Sequence, residues 1–190
     1  DWVYTPITCN GQKLDLHESS VRDFRRVLDL RNGVLTRSFI WQVDAETAVE
    51  VVFERFTSME NEQFVGQKVT VKAVSGCADV TIRGGLDFTR PHNSMKACMF
   101  ETELEEATGN YCQIQAVTRT SGQRVYAAAV FRGIDGTPWE KETGIASNGF
   151  HVVLHAGEAA ALERIVTLLS ARNEAEQESL STRIAEANEE

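Results

Sequence analysis

Residues 21–43 read Val-Arg-Asp-Phe-Arg-Arg-Val-Leu-Asp-Leu-Arg-Asn-Gly-Val-Leu-Thr-Arg-Ser-Phe-Ile-Trp-Gln-Val, and the Asn32-Gly33 pair inside the stretch decides how the rest is read. A type I′ turn needs φ > 0 at both central residues, which Asn and Gly tolerate best. The pair predicts a hairpin joining Val21–Arg31 to Val34–Val43, two strands whose length suits a broad sheet better than a small barrel. Downstream, residues 49–56 (Val-Glu-Val-Val-Phe-Glu-Arg-Phe) put Val49, Val51 and Phe53 on one face and Glu50 and Glu54 on the other, the period of a half-buried strand. Further strands are predicted at about 66–74, 78–83, 110–120, 123–132 and 160–170, where Val, Ile, Thr and aromatics run between Gly-bearing turns. Asn10-Gly11 and Thr120-Ser121-Gly122-Gln123 are two more tight connections. Repeated antiparallel hairpins of this kind predict an all-β, antiparallel β-sandwich.

The grammar changes at Glu174. Residues 174–190 are rich in helix formers, lack a β-branched run and carry six Glu against one Arg. They predict a C-terminal helix with only Leu180 and Ile184 on its apolar stripe, an i, i+4 pair too thin to stand without a packing partner. The expected organisation is therefore a sandwich over 1–173 and the start of a helical connector over 174–190.

The chain has 190 residues, 42% of them hydrophobic and 25% charged, a size that suits one sandwich with a real core. No apolar run approaches the ~18 residues of a membrane-spanning helix. A net charge of −9 without clustered Lys and Arg in the sequence argues against nucleic acid as a partner. Cys9, Cys77, Cys98 and Cys112 show no framework spacing, so reduced and mostly buried thiols are expected, and with no Asn-x-Ser/Thr sequon present a cytoplasmic location is the reading.

Most candidate chemistry fails on spacing. His151 and His155 flank Val152-Val153-Leu154, and on a strand their imidazoles stand roughly 13 Å apart, too far to share an ion. No Cys-x-x-Cys occurs, and Gly84-Gly85 is not followed by the Lys-Ser/Thr of a phosphate loop. Glu101, Glu103 and Glu105 alternate with neutral residues and read as the solvated face of an edge strand rather than as glycosidase carboxylates. Trp139, beside Pro138, reads either as a loop tryptophan closing the core or as an exposed sugar-stacking platform. No catalytic, cofactor-binding or metal-binding residue is assigned, and no cofactor is expected. The hairpin's charges need partners, because uncompensated buried charges are costly, and Asp29 is the expected partner of Arg31 or Arg37.

The segment Arg26 to Arg37 resembles the N-terminal domain of glycoside hydrolase family 65, the maltose, trehalose and kojibiose phosphorylases, whose pattern runs Arg-x-Leu-Asp-(Leu/Met)-Arg-x-Gly-x-Leu-x-Arg. Arg55-Phe56-Thr57-Ser58, Leu86-Asp87 and Leu162-Glu163-Arg164-Ile165-Val166 follow in the family's order. The resemblance implies a supersandwich of the galactose mutarotase-like kind, followed in the parent by a helical linker and an (α/α)6 barrel that carries the catalytic Glu and the phosphate site. It implies that this chain lacks sequence at both ends, that it is non-catalytic, and that the parent is a dimer acting on a carbohydrate, by inverting phosphorolysis of an α-glucosidic disaccharide or by hydrolysis. Arg31, Arg37, Asp87 and Trp139 are the positions where sugar or interface contacts are expected. Two other readings stay open: an autonomous carbohydrate-binding module centred on Trp139, and a mutarotase-like sugar enzyme, which would need His92 or His155 to converge with a Glu.

Overall fold

The structure is a computed structural model that describes residues 1–92 and 94–171. It is built from thirteen strands: β1 (Ile7–Cys9), β2 (Gln12–Lys13), β3 (Ser20–Asp29), β4 (Val34–Gln42), β5 (Ala48–Thr57), β6 (Phe64–Ser75), β7 (Cys77–Asp87), β8 (Phe100–Ala107), β9 (Tyr111–Thr118), β10 (Arg124–Arg132), β11 (Gly136–Pro138), β12 (Ile145–His155) and β13 (Ala159–Ala171). They form a five-stranded sheet in the order β11-β12-β7-β1-β2 and an eight-stranded sheet in the order β3-β4-β5-β6-β13-β10-β9-β8. The expected antiparallel sandwich is thus present. The helix expected over 174–190 lies outside the described residues.

Alternation along each strand builds the core. Val49, Val51 and Phe53 of β5 are buried, as the period of that segment requires, in one core cluster with Val80, Ile82 and Phe150 of the smaller sheet. Because eight strands face five, the smaller sheet does not cover the whole inner face of the larger one. At one side β3 is an edge strand that leaves Phe24, Val27 and Leu28 exposed, and Leu30 in the loop after it is 85% exposed.

The turns separate two cases. Asn10 (φ 48°) and Gly11 (φ 75°) are both left-handed between the paired Cys9 and Gln12, the two-residue turn expected there. At the second site only Gly33 (φ 67°) is left-handed. Asp29 O accepts from Gly33 N–H at 2.8 Å, while the Asp29 carboxylate accepts from the N–H groups of Arg31 (2.9 Å) and Asn32 (3.2 Å) and from the Asn32 side chain (2.7 Å). The hairpin therefore exists, but its loop is a four-residue turn capped by Asp29 rather than a type I′ pair. This also corrects the ion pair expected of Asp29, since its oxygens are used up in capping the turn.

A second correction concerns Glu105. Thr102 pairs with Ala116 and Leu104 with Gln115, so Glu103 is an extra residue that bulges β8 and reverses the alternation beyond it. Glu101 and Glu103 remain exposed on the edge strand, whereas Glu105 turns inward and accepts from Gly144 N–H (2.9 Å) and the Thr102 hydroxyl. No disulfide joins the cysteines: Cys9 and Cys112 are buried, Cys98 is half-buried and Cys77 is exposed.

Candidate functional site

The overhang of the larger sheet shapes a cleft of about 460 Å³ between the inner face of β3–β6 and the N-terminal segment Asp1–Pro6. Cross-strand register explains what lines it. Arg26 stands opposite Arg37, and Arg37 opposite Phe53. One row further, Leu35 pairs with Arg55, Arg55 with Gln67, and Gln67 with Arg164. All of these share the face that holds Phe39, Trp41 and Val51 deeper in, so arginines occupy positions where the alternation would otherwise place apolar side chains. Lys13 and Arg90 complete the rim.

The electrostatics are one-sided. The ion pairs among the described residues involve Arg22, Lys68, Arg83, Arg90, Arg124 and His151, and leave Arg26, Arg37 and Arg55 outside them. Arg37 lies over the Phe53 ring, 4.3 Å from its centroid, and its Nε is buried without a hydrogen-bond partner. Burial first, then the neighbouring charges of Arg55 and Arg26, hold the Arg37 guanidinium below its ordinary pKa. Deeper in, Arg164 is 4% exposed and donates to the carbonyls of Tyr4 (3.0 Å) and Gly85 (3.2 Å), to the Thr5 hydroxyl and to the Gln67 amide oxygen. All four acceptors are uncharged, and burial lowers the Arg164 pKa to about 10.

Asp87, at the end of β7, is the one buried carboxylate among the described residues. It accepts from the Thr89 N–H (2.8 Å) and hydroxyl (2.6 Å) and from Arg90 Nε (2.9 Å). Burial by itself would raise its pKa; the Thr89 bonds and Arg90 outweigh that and hold it below the usual carboxylate range. Asp87 thereby orients Arg90 at the cleft rim.

The four positions expected from sequence divide accordingly. Arg37 lines the cleft and Asp87 supports it through Arg90. Arg31 sits in the exposed β3–β4 loop. Trp139 is away from both the cleft and the core: it lies on the outer face of the five-stranded sheet, over Gly149, where an added Cβ would meet its ring at 2.8 Å. The Arg83 guanidinium sits between the Tyr4 and Trp139 rings, 5.2 Å from each centroid, and pairs with Glu142 at 2.7 Å. The reading of Trp139 as a residue closing the core is therefore corrected; Gly149 leaves a flat floor on the outside of the sheet and the indole covers it.

Among the described residues no ring nitrogen of His92 or His155 bonds or pairs with a Glu carboxylate, so the His–Glu convergence that a mutarotase-like enzyme needs is not formed, and the two histidines also lie far apart. β12 and β7 pair over their whole length, with His155 opposite Cys77 at one end and Asp87, five residues before His92, at the other. Ten residues of strand separate those ends by on the order of 30 Å. His151 instead meets Asp79 at 2.7 Å on the exposed face. Arg55, Gln67, Arg90 and Arg164 were not legible as site residues. The available signal was parity alone, which sets Arg37 in step with Phe39 and Arg55 in step with Phe53.

Comparison with known proteins agrees with this architecture. The family model described as glycosyl hydrolase family 65, N-terminal domain, matches residues 1–190. A kojibiose phosphorylase of Halothermothrix orenii is 29% identical over 85 residues, 45% of this chain and 11% of that protein. A solved chain from the human microbiome, provisionally described as a kojibiose phosphorylase, superposes with a TM-score of 0.84 over 98% of this chain and 25% of its own length, at 20% identity. At that identity the superposition speaks for the fold, and the chain spans about a quarter of that relative. The motif order, the two-sheet architecture and the match along the entire chain lead to one assignment: this chain belongs to glycosyl hydrolase family 65, as its N-terminal domain.

Proposed function

We propose that this chain is the non-catalytic β-sandwich of a larger family 65 enzyme, an inverting phosphorylase of α-glucosidic disaccharides, in which it supports the catalytic barrel and a homodimer. The carrying observation is that the N-terminal-domain model matches the whole chain while the chain spans only a quarter of its solved relative. The similar proteins are described as kojibiose phosphorylases, which makes kojibiose the first substrate to try. The exposure of Phe24, Val27 and Leu28 on the edge strand β3 and of Leu30 in the loop after it supports a covering role for this edge of the sheet. On this reading residues 1–173 are the sandwich and 174–190 begin the linker to the barrel. The four unpaired cysteines support a cytoplasmic location.

A second reading, a carbohydrate-binding surface, is favoured by Trp139. With Pro138, Glu140, Lys141, Glu105 and Glu106 it lines a hollow of about 250 Å³. Turnover separates the readings. The full-length parent, incubated with kojibiose, maltose, trehalose and nigerose with and without phosphate, is expected to release glucose 1-phosphate only when phosphate is present, and the 190-residue chain to release none. Activity in the isolated chain would overturn the accessory reading. Saturable binding of a disaccharide by the isolated chain that is lost in Trp139→Ala would favour the second.

A further inference from the structure

We propose that the arginine cleft under the overhang of the larger sheet binds a phosphoryl-bearing small molecule, with Arg37 and Arg55 as the principal contacts and Arg26, Lys13 and Arg90 at the rim. The chain holds 28 acidic and 19 basic side chains, so a random cluster would contain carboxylates in excess. The cleft reverses this: Lys13, Arg26, Arg37, Arg55 and Arg90 line it, and Asp1 is the one acidic residue among them.

Like charges directly opposite one another on neighbouring strands destabilise a sheet, yet Arg26 faces Arg37 in register and Arg55 follows on the next strand. Among the described residues no ion pair relieves them, and Arg37 Nε is buried with an unused donor. Arg37 is held in place by the Phe53 ring beneath it and Arg90 by the Asp87 carboxylate. Arg37 and Arg90 are therefore positioned before any ligand arrives, the arrangement that lowers the ordering cost of binding.

The ligand class follows from the donors. A guanidinium presents a planar fork of N–H groups that matches an oxyanion bidentately. With Arg90 paired to Asp87, four cations remain, Lys13, Arg26, Arg37 and Arg55, and a lone carboxylate, with a single charge and two oxygens, compensates one of them. A phosphoryl group carries close to two negative charges at neutral pH and offers three acceptor oxygens. The volume of about 460 Å³ exceeds what inorganic phosphate needs and falls within the range of small-molecule pockets. Leu35, Pro6 and Val3 supply apolar wall for the body of such a ligand, so a hexose monophosphate fits the space better than the free ion.

The test is isothermal titration of the 190-residue chain with inorganic phosphate and with a hexose monophosphate, at constant ionic strength, with acetate, free hexose and poly-glutamate as comparators. Saturable one-to-one binding is expected, with Kd on the order of 1 mM or tighter and tighter for the hexose monophosphate. Arg37→Gln and Arg55→Gln are each expected to weaken it about tenfold or more. Arg26→Gln, on the exposed edge strand β3 where folding is not at stake, is expected to weaken it less. Arg124→Gln, which breaks an exposed pair with Glu103 near the opposite edge of the sheet, is expected to leave it unchanged. Absence of saturation, binding that survives Arg55→Glu, or acetate or poly-glutamate binding as tightly as phosphate would each overturn the proposal; the last would assign the cleft to an acidic polypeptide instead. Because the readout is binding by this chain, the outcome does not depend on the reaction the parent performs.

Discussion

Arg164 offers a quantitative test of how the N-terminal segment is held to the larger sheet. Keeping its guanidinium charged at a pKa of about 10, against the ordinary 12.5, opposes folding by roughly 3 kcal/mol at neutral pH, because a shift of one in pKa corresponds to about 1.36 kcal/mol. Against that stand its bonds to Tyr4 O, Gly85 O, Thr5 Oγ1 and Gln67 Oε1. In Arg164→Met the volume of the stem is kept and the charge removed. Tyr4 O then still accepts from Gly85 N–H (3.1 Å), while the single Thr5 hydroxyl proton serves either Val3 O (2.7 Å) or Gln67 Oε1 (3.2 Å). One or two buried acceptors are left short, at ~1–3 kcal/mol each, a loss that the removed desolvation penalty nearly offsets. Arg164→Met is therefore expected within ~1 kcal/mol of the parent chain, while Arg164→Ala, which also empties the volume of the stem, is expected to be ~3 kcal/mol less stable. Urea unfolding followed by tryptophan fluorescence reads both. The folded-state pKa lies below the unfolded one, so between about pH 10 and 12.5 the unfolded chain binds more protons, and the parent should gain stability relative to Arg164→Met as pH rises through that window. A loss above ~3 kcal/mol in Arg164→Met, or Met and Ala variants of equal stability, would refute the claim that the buried charge is a net cost.

Three further outcomes are expected. Asp87→Asn should destabilise by ~1–2 kcal/mol, since the carboxylate is buried but its partner Arg90 is largely exposed. The lowered Asp87 pKa stabilises the fold at pH values above the ordinary carboxylate range, and that contribution fades as pH falls through the folded-state value; acid titration of Tm should accordingly be shallower in the variant below about pH 4. Burial raises the Cys9 thiol to about 11 and the Cys112 thiol to about 12, so at pH 8 an aromatic disulfide reagent should modify exposed Cys77 first and reach Cys9 and Cys112 only on unfolding; native-state modification of Cys112 at the Cys77 rate would contradict the packing. Gly149→Ala should push the Trp139 ring off the sheet, costing ~1–2 kcal/mol and shifting the emission of that indole, and unchanged emission would place Trp139 elsewhere.

What could be read from sequence and what could not follows from the range of the forces involved. Alternation is local, so the face of β5 that holds Val49, Val51 and Phe53 was legible from eight residues, as was the Asn10-Gly11 turn. The Asn32-Gly33 loop was misassigned in type because the deciding group is the Asp29 carboxylate, three residues upstream, whose bonds to Arg31 and Asn32 N–H favour a wider turn. Glu105 was misplaced for a similar reason: a single bulged residue at Glu103 inverts every later side chain, and periodicity read across a bulge gives the wrong face. The cleft lies furthest from what one strand can reveal. Arg37 and Arg55 are in step with Phe39 and Phe53, which by itself reads as two core positions spoiled by charge. They become a site because the part of the larger sheet around them is faced by the N-terminal segment Asp1–Pro6 and not by a strand of the smaller sheet. Strand number and order arise from pairings as distant as Ile7 with Ile82 and Val69 with Leu162. The same two arginines under a full-width sheet would each need a buried carboxylate or a change of sequence. Under an overhang they can remain charged, aligned and available, which is why the topology of the sandwich, more than any motif, creates this place for an anion.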